Sequence, residues 1–211
     1  MTKPHFTPSL LDQISPRKLS KGERTRLHLV QSSIQCFATH GFEASTFDKI
    51  ASHSKLSRPL VTHYYPRKEL LIEACFKMIA ANAQNYIESH TAITSKVTSI
   101  LSSYIDVNFE WAKEFPEHFK VFLMFVSQCS FDKASREFNT QAKEVARIRI
   151  LQWLELGIKN NEFTVDNPGQ VAKIIHNALY SEIISYYTEN TNQELKSGST
   201  KSLLKKLLNL K

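Results

Sequence analysis

Apolar residues recur at three- and four-residue intervals along most of this chain, and short polar or Pro-containing breaks separate the periodic runs. That pattern predicts helices and no sheet. Residues 24–40 carry Val30, Ile34, Phe37 and Ala38 on one face, and Gly41 is placed to end that helix. Ser45, with Asp48 three residues on, reads as a capping box for a short helix from Thr46 to about His53, with Ile50 and Ala51 inward. Ser54-Lys55-Leu56 makes a turn, and Ser57 then caps a second short helix from Arg58 to about Tyr64. Pro59 is tolerated there because it falls in the first turn, and Pro66 closes the segment. Two helices this short bury too little surface to stand alone, so residues 24–40 must support them. The result is a three-helix unit whose last helix shows one face outward.

Beyond Pro66 the periodic runs are longer. Residues 68–90 place Leu71, Cys75, Met78 and Ile79 inward, and 95–114 do the same with Val97, Leu101, Tyr104 and Trp111. Pro116 restarts a helix to about Ser130, and Asp132 opens one to about Lys159 bearing Val145, Ile148, Leu151, Leu154 and Ile158. Pro168 begins a run to about Tyr187 with Val171, Ile174, Ile175, Ala178, Leu179 and Ile183. After a polar break, Ser202 to Leu210 reads as a short basic amphipathic helix suited to packing on its own core. The stripes of 132–159 and 168–187 are wide enough to serve both a core and a second surface. There is no internal repeat.

The run through Leu29-Val30, Phe37, Gly41-Phe42, Ser45-Thr46, Ile50-Ala51, Leu56-Ser57-Arg58, Val61, His63-Tyr64-Tyr65 and Lys68-Glu69-Leu70-Leu71 resembles the DNA-binding domain of the tetracycline-repressor (TetR) family. The resemblance covers roughly 50 of 211 residues. It implies DNA contacts from Ser57, Arg58, Thr62, His63, Tyr64 and Lys68, with Thr46 near a phosphate. It also implies a homodimer joined through the last long helices, a palindromic double-stranded operator and an inducer held in the middle of the chain. Three positions depart from the family pattern. Lys55 replaces the usual turn glycine, and a positive φ there costs about 1 kcal/mol. Pro59 stands where a small residue is usual, and Thr62 where a tyrosine is. What carries over is the docking, not the operator sequence.

Charge points the same way without the resemblance. Residues 1–71 hold 11 Lys/Arg against 5 acids, net +6, whereas residues 72–211 hold 16 against 15, net +1. Nearly all of the chain's +7 therefore lies where phosphates would be met. The longest apolar run, Val121–Val126, is far too short to span a membrane, and the N-terminus lacks the apolar stretch of a signal peptide. Three cysteines without pairing spacing, Cys36, Cys75 and Cys129, suit buried inert thiols in a reducing cytoplasm.

Tyr104, Phe109, Trp111, Phe119, Phe122 and Phe125 form an aromatic concentration that is either plain core or the lining of an effector pocket. The eight histidines show no zinc spacing, and there is no phosphate loop or nucleophile elbow. No catalytic residue, metal or cofactor is signalled. The expected organisation is all-α: a flexible arm at 1–20, a three-helix helix-turn-helix domain at 21–66, and a helical effector-binding and dimerisation domain at 67–211. The expected activity is sequence-specific transcriptional regulation, as a repressor released from DNA by a small, largely apolar ligand. The alternative is a DNA-bound structural or assembly factor whose C-terminal part binds a protein.

Overall fold

The computed structural model describes residues 19–189 and 194–209. Of the expected arm at 1–20, residues 1–18 lie outside them, and Ser20 caps the first helix. Leu210, the expected end of the last helix, also lies outside, and that helix begins at Gly198, four residues before the expected Ser202. The described residues form helices and no strand. In order these are α1 (Lys21–Ala44), α2 (Phe47–Ser54), α3 (Arg58–Tyr64), α4 (Lys68–His90), α5 (Val97–Glu114), α6 (Pro116–Gln128), α7 (Lys133–Lys159), α8 (Pro168–Thr188) and α9 (Gly198–Leu207).

Local chemistry accounts for the ends. Ser20 and Glu23 make a reciprocal capping box, with the Glu23 N–H donating to Ser20 Oγ at 3.2 Å and the Ser20 N–H to Glu23 Oε2 at 2.8 Å. That box starts α1 three residues before the periodic apolar pattern does. Gly41 (φ +77°) breaks the helical path near the end of α1, a conformation that costs a glycine nothing. The box expected at Ser45 is corrected by the structure. Ser45 is fully buried and donates from Oγ to the Gly41 carbonyl at 2.6 Å, which satisfies an acceptor left unpaired at the kink. Thr46 caps α2 instead, accepting from the Lys49 N–H at 3.3 Å. Lys55 adopts the left-handed conformation (φ +54°, ψ +32°) that the turn between α2 and α3 demands.

The helices sort into two compact units that do not follow chain order. One contains α1–α3, residues 68–84 of α4, and 116–135, so α6 joins the N-terminal helices. In it α1 packs on α2 and α6, and α2 on α3. Leu29, Ile34, Phe37, Ile50, Val61, Leu71, Cys75 and Phe119 are buried there, and Phe37 meets Phe42 edge to face at 5.1 Å.

The other unit contains residues 85–115 and those from 136 on. Here α5 packs on α8 and α9, and α8 on α9. Its core includes Leu101, Tyr104, Ile105, Ile150, Leu154, Ile175 and Leu179. Glu162 caps α5 from a distant loop, accepting from the N–H groups of Val97 (3.0 Å) and Thr98 (3.3 Å). Tyr187 donates to the Ala112 carbonyl at 2.6 Å, and Lys201 pairs with Asp106 at 2.8 Å. No helix of the described residues is long and apolar enough to cross a membrane.

Candidate nucleic-acid interface

The outward surface of α3 follows from how few of its residues are needed inside. Val61 is completely buried and Tyr65, just past the helix, is 7% exposed. Those two anchor α3 and leave Ser57, Arg58, Pro59 and His63 on the exposed side. His28 ties α1 to the end of α2 through Nε2 and the Ser54 carbonyl at 2.8 Å, so the three helices are held by polar as well as apolar contacts. Lys49, Lys55 and Arg67 are exposed around α3.

The seven residues expected at DNA share this part of the fold but differ in availability. Thr46 is exposed at the start of α2, its hydroxyl serving the cap. Ser57 precedes α3, is exposed and makes no side-chain cap bond. Arg58 is exposed and paired with Asp48 of α2 at 3.0 Å. The Thr62 hydroxyl donates back to the carbonyls of Arg58 (3.2 Å) and Pro59 (3.1 Å). His63 is exposed and meets Tyr64 edge to face at 5.3 Å. Tyr64 is half-buried, with the guanidinium of Arg26 5.8 Å from its ring centre and also 5.8 Å from that of Tyr65. Lys68 is half-buried, and its ammonium donates to the Phe42 carbonyl at 2.8 Å. Its first role is thus to join the start of α4 to the end of α1.

The six candidate pocket aromatics are divided between the two units. Phe119, Phe122 and Phe125 belong with α1–α4, and Phe125 stacks on Phe76. Tyr104, Phe109 and Trp111 belong to the second unit, where Tyr104 meets Trp153 at 5.3 Å. Five of the six are buried and Phe122 is half-buried. A concavity of about 880 Å³ in the second unit has a mixed lining, in which Lys96, Ser102, Asp106 and Lys205 stand beside Val107 and Leu204. Sequence periodicity gave no hint of it, because its lining comes from the polar edge of α5, the Glu162 loop and α9.

His176, a histidine with no distinguishing sequence context, is 1% exposed on α8. Neither ring nitrogen has a hydrogen bond among the described residues. Burial, then the charges of Arg147 and Lys143, push its pKa down to about 4. The three cysteines are buried, and burial pushes the Cys75 thiol well above its usual range.

A short helix exposed across the end of a second, both braced by a longer one, defines a helix-turn-helix protein. The model of bacterial regulatory proteins of the tetR family matches residues 29–75. Those residues are the TetR-type N-terminal domain, and the chain as a whole has the fold of TetR-family regulators. GusR of Salmonella enterica superposes with a TM-score of 0.70 at 20% identity, covering 92% of this chain and all of that one. A TetR-family regulator from Cytophaga hutchinsonii gives 0.69 at 16% identity, over 92% and 97% of the two chains. PfmR, a TetR-family regulator of Thermus thermophilus, gives 0.67 at 12% identity, over 86% and 97%. At these identities the likeness is one of fold. No curated protein matches the sequence.

Proposed function

We propose that this chain is a sequence-specific DNA-binding transcriptional regulator that works as a homodimer and represses until a small ligand releases it. The observation that carries the DNA reading is the outward face of α3, with Ser57, Arg58 and His63 exposed inside a TetR-type domain. It lies in the third of the chain that holds nearly all the net positive charge. Phosphate contacts from the surrounding cations give affinity and register, and side chains of α3 read base edges in the major groove. Selection of bound fragments from random DNA by the full chain tests this. The expected product is a two-fold palindrome with half-sites about one helical turn apart; enrichment of no sequence would refute it.

For the effector, the largely apolar ligand expected from the aromatic run and a more polar one remain the two classes to be tested. The concavity beside α5 offers hydroxyls and charges of both signs, while five of the six aromatics are buried. A ligand that prefers the protein conformation with lower DNA affinity must itself bind more weakly when DNA is present, by the same factor. Titrating an operator complex with polar metabolites, and separately with apolar ones, reads both the existence and the class of the effector. If every compound that binds the protein leaves DNA affinity unchanged, the inducer role fails.

A further inference from the structure

Asp48 is the second residue of α2 and Arg58 the first of α3, and the left-handed turn at Lys55 lies between the two helices. One guanidinium nitrogen of Arg58, Nη1, donates to both carboxylate oxygens of Asp48, at 3.2 and 3.0 Å. Both side chains are largely exposed, at 61% and 66%, so the pair adds little to the stability of the fold. Its consequence is geometric. A long side chain that would otherwise sample many rotamers is held through one nitrogen of its planar head. The opposite edge, Nε and Nη2, makes no hydrogen bond among the described residues. It presents two parallel N–H donors in the fork that fits O6 and N7 of guanine. The pairing with Asp48 and a bidentate base contact use different nitrogens and can exist together.

We propose that Asp48 is a specificity-determining positioning residue: it holds Arg58 so that the free guanidinium edge reads a guanine, while its own negative charge weakens binding to DNA of any sequence. The inference rests on the DNA reading above and adds a residue that neither charge counting nor the α3 surface would select. An acid at a phosphate-facing surface lowers general affinity. Asp48 also lies in the first turn of α2, where a carboxylate favours the helix N-terminus, so its part in discrimination is separated from that role by the dependence on Arg58.

The experiment compares the wild type, Asp48→Ala, Arg58→Ala and the double variant as full chains with matched helicity. Each is measured on the enriched operator, on operators with each guanine replaced in turn, and on random DNA over a range of salt. Asp48→Ala is expected to lower the preference at one guanine about 2–5-fold, the most that holding one side chain through an exposed ion pair can supply. It is also expected to raise affinity for random DNA and to steepen the salt dependence by up to about one phosphate contact. In the Arg58→Ala background the same substitution should leave base preference unchanged, because the residue acts through Arg58. An unchanged preference in Asp48→Ala, or an equal loss with and without Arg58, overturns the proposal while the DNA reading stands. A wild type that enriches no sequence overturns that reading itself. Should Asp48→Ala fold poorly, Asp48→Leu removes both acceptor oxygens with a side chain of similar size and is judged by the same outcomes.

Discussion

Replacing Ile148 by aspartate separates assembly from folding, because the apolar stripes of α7 and α8 are not uniformly covered. Ile148 is 41% exposed, Leu156 equally so, and Val145, Leu151 and Ile158 are half-buried. Ile175 on α8 is 1% exposed. Burying a whole isoleucine side chain contributes about 1.5–3 kcal/mol, so covering the exposed fraction at Ile148 contributes about 1 kcal/mol per copy. A two-fold interface uses the position twice, which gives about 2 kcal/mol, or roughly a 30-fold change in the dimer dissociation constant. Desolvating two aspartates adds to that loss. Ile148→Asp should therefore keep wild-type helicity and dissociate at least about 30-fold more readily. Ile175→Asp places an unpaired charge in the core and should cost more than about 4 kcal/mol, a large part of a typical total stability. Its helicity should fall at any protein concentration. Sedimentation equilibrium and far-ultraviolet circular dichroism over the same concentration range check both. An Ile148→Asp protein with wild-type association would remove this part of α7 from the interface, and a wild type monomeric at micromolar concentration would refute the homodimer.

Three further outcomes follow from single contacts. A Cβ on Gly157 would lie 2.2 Å from Cζ of the buried Phe163, so Gly157→Ala should destabilise by about 1–3 kcal/mol in urea unfolding, and Phe163→Leu should restore part of it; an unchanged midpoint would show that the ring moves freely. Burial disfavours the ionised carboxyl of Glu162, but the Val97 and Thr98 N–H groups, with Asn160 and Lys96, outweigh it and hold its pKa below the ordinary 4.5. A depressed pKa stabilises above the unfolded value and that contribution is lost as pH falls through the folded one. The stability gap between wild type and Glu162→Gln should accordingly be full at neutral pH and shrink below about 4.5, and a gap constant down to the acid transition would refute the cap. Lys68→Met removes the bond to the Phe42 carbonyl and should lower the melting temperature without DNA, by about 1–2 kcal/mol of stability; a lower DNA affinity with no change in melting would make it a phosphate contact alone.

The number and kind of elements were legible in the chain because helices are specified locally. Pro116 and Pro168 start α6 and α8 where expected, Ser57 and Pro59 bracket the start of α3, and the 3.6-residue stripes located the helices between them. The helix-turn-helix was readable for the same reason: its signature is caps, one turn and a few apolar anchors within a short stretch. Even there, neighbouring polar residues were indistinguishable in isolation. Ser45 and Thr46 are both good caps, and the kink at Gly41 decides that the serine is buried and the threonine starts α2. The membership of each core is a tertiary matter. Nothing local tells α6 to join α1 rather than α5, so the aromatics of 104–125, contiguous in sequence, divide between two units. The same holds for the partners of long polar side chains. Lys68 meets a carbonyl 26 residues away, Arg58 a carboxylate 10 residues away, and Glu162 the amides of α5 some 65 positions earlier. Composition and periodicity fix which residues are able to donate, accept or be buried, since those are properties of a side chain and its neighbours along a helix. Which of them meet is set by how the helices pack.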